Sequence, residues 1–408
     1  MRRYALLVTL VWLCWAATAT ATAATASAPS APGPPGLRPV TPAGGLPGEQ
    51  ELARAAGVEA VDRLLAELDR DVAGYAPRLR VSQILAGLWR GDYRFDYRGL
   101  WRGATRYLFG ETLANLSLLG RLVALAVVGA LLHVLQSSFG GEGTGRLSEQ
   151  VVYLVLAALA LSSFGLAFAT ARETVGRLVS FMEALLPTLL ALLVANGALA
   201  SGGLFHPLVT ACVYVASALT TDLVLPLVMA AGVLEMAGGF ARGFKLSGMV
   251  NLLRLGAVTV LGLAMSAFLG VAAVYRAAGA IGDGVALRTT KFLATTFVPV
   301  IGKMFADAAE VIMGTGTVLA GAVGLAGALG VLVMVLFPLL KLAAVIITYR
   351  LAGAVVQPVD GIGLGGMLNG IANTISIVFV TVAAVGMWFF IAVAILMGSA
   401  SGMALRGS

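Results

Sequence analysis

Apolar residues fall into runs too long to be core elements of a soluble domain. About 20 consecutive apolar residues cross a bilayer as a helix. Runs of that kind occupy residues 114–136, 151–171, 178–199, 207–233, 250–275, 318–337, 339–356 and 374–397. The sixth and seventh meet at Pro338-Leu339-Leu340-Lys341, so they form either a tight hairpin or one long kinked helix. The pattern therefore predicts seven or eight spans. Backbone groups in lipid must be satisfied internally, which leaves helices or closed barrels, and these runs lack the alternation of barrel strands. The expected fold is all-α, a polytopic membrane helix bundle.

Ahead of the spans the pattern changes. Val58, Val61, Leu64, Leu65, Leu68 and Val72 recur at spacings of three and four, one apolar stripe on an amphipathic helix with charges opposite. Such a helix suits a partner helix or a small hairpin of its own. Between residues 89 and 109, Trp89-Arg90, Tyr93-Arg94, Tyr97-Arg98 and Trp101-Arg102 repeat every four positions. Aromatic rings beside guanidinium groups fit a lipid headgroup layer just before the first span. Residues 27–48 are rich in Ala, Pro and Gly and predict a linker.

Met1-Arg2-Arg3 followed by the apolar run 4–17 and by Ala-Thr-Ala sites has the layout of a signal peptide ending near residue 26. An uncleaved anchor held at the interface by Trp12 and Trp15 is the other reading. Either way the next segment is exported. The expected organisation is a signal peptide at 1–26, a linker at 27–48, a small exported helical region at 49–112 and a membrane domain at 113–408. With five spans before it, the loop 275–315 is expected on the cytoplasmic side. Its basic residues, Arg276, Arg288, Lys291 and Lys303, agree with that less clearly than a short-loop charge rule would like, since five arginines also stand outside between residues 90 and 106.

Charge sharpens this division. Ten acidic and ten arginine side chains crowd into residues 49–112, although only 12% of the 408 residues are charged and 59% are hydrophobic. Soluble domains carry about a quarter charged residues, so the remainder is read as a membrane domain. Two cysteines and two histidines exclude a disulfide framework and His-rich metal sites, and no cofactor is expected. The net charge of +7 is spread thinly over loops and predicts no nucleic-acid partner, leaving membrane lipid as the expected non-protein contact.

Ionisable residues within apolar spans are costly and mark bundle interiors or cavities. Glu183, Asp222 and Arg254 stand out, and an acid from another helix should pair with Arg254. Arg121, Glu235, Lys341 and Arg350 lie near enough to span ends to extend toward water. His206 precedes Pro207 at the opening of a span, where proline suits the first helical turn. Residues 283–312 mix a helical stripe of Phe297, Ile301, Met304, Phe305, Ala308, Val311 and Ile312 with Asp283, Arg288, Lys291, Lys303, Asp307 and Glu310. That mixture predicts an interfacial or re-entrant helix pair bent at Pro299, read either as an amphipathic loop on the membrane or as a pore-lining element. Gly321, Gly324, Gly327 and Gly330 repeat every third residue, a spacing that lets helices approach closely.

Several of these motifs occur in fixed order. Phe205-His206-Pro207, Asn251-Leu252-Leu253-Arg254, Asp283 through Phe292, Val298 through Ala308, Phe337 through Lys341 and Val356-Gln357-Pro358 resemble the stage III sporulation protein AE family. The resemblance runs from about Leu100 to the C-terminus. It implies a non-enzymatic protein of the mother-cell membrane around the forespore, part of an assembly thought to form a secretion-like channel between the two cells. Implied partners are other proteins of the stage III sporulation operon complex and, through them, a forespore membrane protein; a homo-oligomer is compatible with it. The family supplies no catalytic or ligand residues to transfer. The alternative reading is a secondary transporter for a small solute, with Glu183, Asp222 and Arg254 at a midplane site. An intramembrane enzyme is disfavoured, because Cys212 has no base beside it.

Overall fold

A computed structural model of the chain describes residues 58–72, 74–76, 80–90, 95–139, 142–196, 199–238, 246–297, 301–359 and 363–404. Among them every regular element is helical. In chain order these are α1 (Val58–Asp71), α2 (Val81–Arg90), α3 (Tyr97–Ala114), α4 (Leu116–Phe139), α5 (Glu142–Ala195), α6 (Leu199–Ala218), α7 (Leu225–Ala237), α8 (Ser247–Phe297), α9 (Ile301–Val356) and α10 (Leu364–Ala404). A π-helical turn, Leu219–Val224, joins α6 to α7. The signal peptide and linker expected at 1–48 lie outside the described residues.

Six stretches among the described residues are long and apolar enough to cross a membrane: Tyr97–Leu132, Gln150–Ala195, His206–Ala237, Ser247–Tyr275, Thr317–Val356 and Leu364–Gly398. The expected seven or eight falls to six because two pairs of apolar runs are each one continuous helix. Pro187 sits inside α5 and Pro338 inside α9 without ending either. The polar residues between the first two merged runs, Arg172, Glu173 and Arg177, occupy the outer surface of α5, where Arg177 and Glu173 pair at 2.8 Å one turn apart. A charged face interrupts hydropathy without interrupting helical hydrogen bonding. Proline is likewise tolerated where neighbours and local widening re-satisfy the backbone. The π turn shows that adjustment directly. Pro226 has no N–H to give the preceding turn, and just ahead of it Leu225 N–H reaches five residues back to the Thr220 carbonyl.

α10 is the centre of the bundle, flanked by α9 and α5 and touched also by α7 and α8. Its Trp388, Phe389, Phe390 and Val393 are all buried, and Trp388 lies 5.2 Å from the Phe268 ring of α8. Lipid tails are as apolar as leucine, so helix association in a bilayer depends on close packing rather than on expulsion of water. The glycine repeat of α9 supplies it. A Cβ on Gly324 would fall 2.2 Å from the Met397 side chain, one on Gly327 2.5 Å from Leu185, and one on Gly330 within 2.9 Å of both Phe181 and Leu65. Three neighbouring elements therefore seat side chains on successive turns of one helix.

One of those side chains belongs to the N-terminal region. Val61, Leu65, Leu68 and Val72 of the amphipathic stripe are buried, and α1 packs on α5 and α9. The partner of the stripe is thus the membrane bundle, and α1 and α2 share its hydrophobic core. Asp62 accepts the Val81 N–H at 2.9 Å and so satisfies a free donor at the start of α2. Tyr75, Tyr107 and Phe337 form a ring cluster with centroid distances of 5.3, 5.1 and 6.4 Å. Gly103 lets the Tyr75 carbonyl lie against α3, where an added Cβ would meet that oxygen. Tyr97 and Trp101 of the aromatic repeat stay exposed on α3.

Candidate functional site

The strongest polar arrangement joins three helices. Arg254 on α8 is buried, with a residual exposure of 7%. Its guanidinium donates to Glu235 of α7 at 2.8 Å, to the Gly370 carbonyl of α10 at 2.9 Å and to the Thr374 hydroxyl. Thr374 in turn donates to the same Gly370 carbonyl at 3.1 Å. The small residue at 370 is required by this geometry, because a Cβ there would lie 2.1 Å from a Glu235 carboxylate oxygen. At the residue after Glu235, the Tyr153 hydroxyl of α5 donates to the Met236 carbonyl at 2.9 Å, which ties a fourth helix to the same place.

A charge buried in a bundle is tolerated when it is paired and hydrogen-bonded. Arg254 meets that condition on one edge of its fork: a carboxylate, a carbonyl and a hydroxyl converge on a single terminal nitrogen, while its Nε is buried with no partner. The ion pair brings net charge near zero, and the Gly370 carbonyl and Thr374 hydroxyl add dipoles. Chemically the node is a lock between α7, α8 and α10.

Other polar positions are placed differently. Glu183 is exposed on α5 and hydrogen-bonds to Tyr214 of α6, itself 56% exposed. Asp222 is exposed on the π turn and accepts from Thr221 at 3.2 Å. His206 is exposed near the start of α6, its ring 3.4 Å from the Thr210 hydroxyl. Lys341 is half-buried on α9. Glu183 and Asp222 therefore do not gather around Arg254, whose partners are Glu235, Gly370 and Thr374. Residues 283, 288 and 291 belong to helical backbone in α8, and 303 and 307 to α9. The side chains of Asp283, Arg288, Lys291, Lys303 and Asp307, and the bend expected at Pro299, lie outside what the structure describes.

Sequence reasoning gave Arg254 an acidic partner without choosing one, and it read Glu235 as a residue extending from a span end. Two signals pointed to the pair: Glu235 and Arg254 lie close to either side of the short 238–246 connection, and Gly370 and Thr374 are spaced one turn apart on a helix of small residues. Among the described residues, no three His, Cys, Asp or Glu side chains gather as a metal site.

A bundle of membrane-length apolar helices, locked internally by one hydrogen-bonded ion pair and helical throughout its described residues, is a multi-pass α-helical membrane protein. The chain belongs to the stage III sporulation protein AE family, which its sequence matches over residues 79–400. It is 33% identical over 306 residues to the Stage III sporulation protein AE of Bacillus subtilis (strain 168), covering 75% of this chain and 77% of that protein. No solved structure matches the chain.

Proposed function

We propose that the chain is a non-enzymatic, multi-pass component of a stage III sporulation complex in the mother-cell membrane around the forespore. In this reading it helps to build a channel or secretion-like conduit between the two cells, with its N-terminal region exported. Its partners are the other proteins of that complex and, through them, a protein of the forespore membrane. The observation that carries the reading is the family match, which runs from α2 through the crossing helices and the polar 283–312 segment. The bundle supports it by supplying a helical membrane body in which Arg254 and Glu235 join three helices. An in-frame deletion in the spore-forming host is the test. Loss of heat-resistant spores and of late forespore reporter expression is expected, with both restored by the gene in trans. Normal sporulation of the deletion strain overturns the proposal, and co-purification of the tagged protein from sporulating cells checks the partners.

A further inference from the structure

Merging two pairs of apolar runs into continuous helices changes which side of the membrane each connection lies on. α5 and α9 are 54 and 56 residues long and continuous. At about 1.5 Å per residue each is roughly 80 Å, against a hydrocarbon core of about 30 Å. An unbroken helix passes a bilayer once, however long it is. Between the N-terminal helices and residue 276 the described residues hold four stretches long and apolar enough to cross, ending at Leu132, Ala195, Ala237 and Tyr275. Four is even. Residues 276–297 continue α8 beyond its crossing stretch, and residues 301–316 lead α9 into the next one.

We infer that the polar segments 276–297 and 301–316 lie on the same side of the membrane as the N-terminal helices, opposite to the side that five preceding spans would give. The C-terminal end, after six crossings, shares that side. The helix ends at Phe139, Ala237 and Val356 share the other. Packing in the bundle agrees with this alternation. Gly324 meets Met397 and Val335 meets Gly386, while Gly353 meets Asn369, so α9 and α10 run antiparallel over their whole shared length. Likewise Gly327 meets Leu185 and Gly330 meets Phe181, so α5 and α9 run antiparallel. Arg254 meets Gly370 and Phe268 meets Trp388, so α8 and α10 run parallel, two crossings apart.

The stretch that carries Arg276, Arg288, Lys291 and Lys303 then belongs to the compartment that holds the head, rather than to the opposite one. The inference is relative to the head and does not depend on the sporulation reading. If the head is exported, a partner that reaches 276–316 is an extracytoplasmic protein, not a cytoplasmic one.

Single cysteines placed in the full-length chain test it, with Cys14 and Cys212 replaced by alanine. Ser82→Cys in α2 marks the head side and Ser247→Cys at the start of α8 marks the other. Ala286→Cys, Thr289→Cys and Ala309→Cys report on the segment. Intact cells or sealed vesicles are treated with a membrane-impermeant maleimide, before and after detergent. The segment cysteines should label with Ser82→Cys in the same preparation, while Ser247→Cys labels only in the opposite one. Labelling of the segment with Ser247→Cys overturns the inference and breaks α5 into two crossings. Protection of all three segment positions from both faces until detergent is added overturns it too, placing the segment within the bilayer. A C-terminal epitope gives a second readout and should be accessible with Ser82→Cys.

Discussion

Two sets of charges in the same bundle meet opposite fates. Around Arg254, a carboxylate, a carbonyl and a hydroxyl from two other helices close on one guanidinium in a buried pocket. Glu183 and Asp222 stand on the outside of α5 and of the π turn, the first beside the Tyr214 hydroxyl of α6 and the second beside that of Thr221. The contrast separates the structural uses of charge from the uses that a surface keeps available. A buried charge that is fully enclosed fixes helices relative to one another. An exposed one in an apolar protein is held at some cost and needs water or a polar partner beside it.

The largest expected effect comes from breaking the buried pair. Glu235→Ala leaves Arg254 charged and enclosed, and Arg254→Ala does the same to a largely shielded Glu235; each should destabilise the bundle by about 3–5 kcal/mol. The measurement is thermal unfolding in detergent together with the amount of full-length protein in membranes. Replacing both residues by leucine should cost less than either single change, because no orphaned charge remains. A double variant as unstable as the sum of the two singles would mean that the pair is not coupled.

Gly370→Ala comes next. Its added Cβ lies 2.1 Å from the Glu235 carboxylate, which must move and loosen its grip on Arg254. Overpacking of this kind costs about 1–3 kcal/mol. If Gly370→Ala is as stable as the parent while Gly366→Ala, whose Cβ would meet open space, is not, the geometry of the node is wrong. Asp62→Ala, which removes the partner of the Val81 N–H in the head, should cost about 1 kcal/mol in the same assay. Smallest of all are Glu183→Gln and Asp222→Asn. Both groups are exposed, so each should shift stability by no more than about 0.5 kcal/mol. Large destabilisation by either would erase the distinction between the two sets of charges, whereas a sporulation defect at normal protein level would assign the outer set to a partner.

The membrane character and helical class were legible from run length alone, since hydrocarbon thickness imposes it on any sequence. The number of crossings was not. Pro187, Pro338 and the Arg172–Arg177 cluster look like breaks in a hydropathy profile, but a helix ends only when its backbone bonds end. Arg254 was legible as a residue in need of an acid. Its actual partner was hidden because Glu235 sits near a helix end, where a route to water is equally consistent with sequence. The stripe of α1 announced that it would be covered without saying by what, because amphipathicity records burial and not the identity of the neighbour. Gly324, Gly327 and Gly330 announced close contact in the same anonymous way, and the knobs that fill them come from three separate elements.

That last arrangement has a consequence in time. Leu65 waits for Gly330, about 265 residues further along the chain, and at roughly 5–20 residues per second synthesis takes some tens of seconds to deliver it. During that interval α1 has left the ribosome and α5 has inserted, but the surface on which both come to rest has not yet been made. α10 then closes the other flank of the same track through Met397, later still in synthesis. Assembly of this bundle is therefore governed by a late-arriving helix, and a ribosome stalled between α5 and α9 would leave the earlier half in the membrane with an amphipathic helix still looking for its seat.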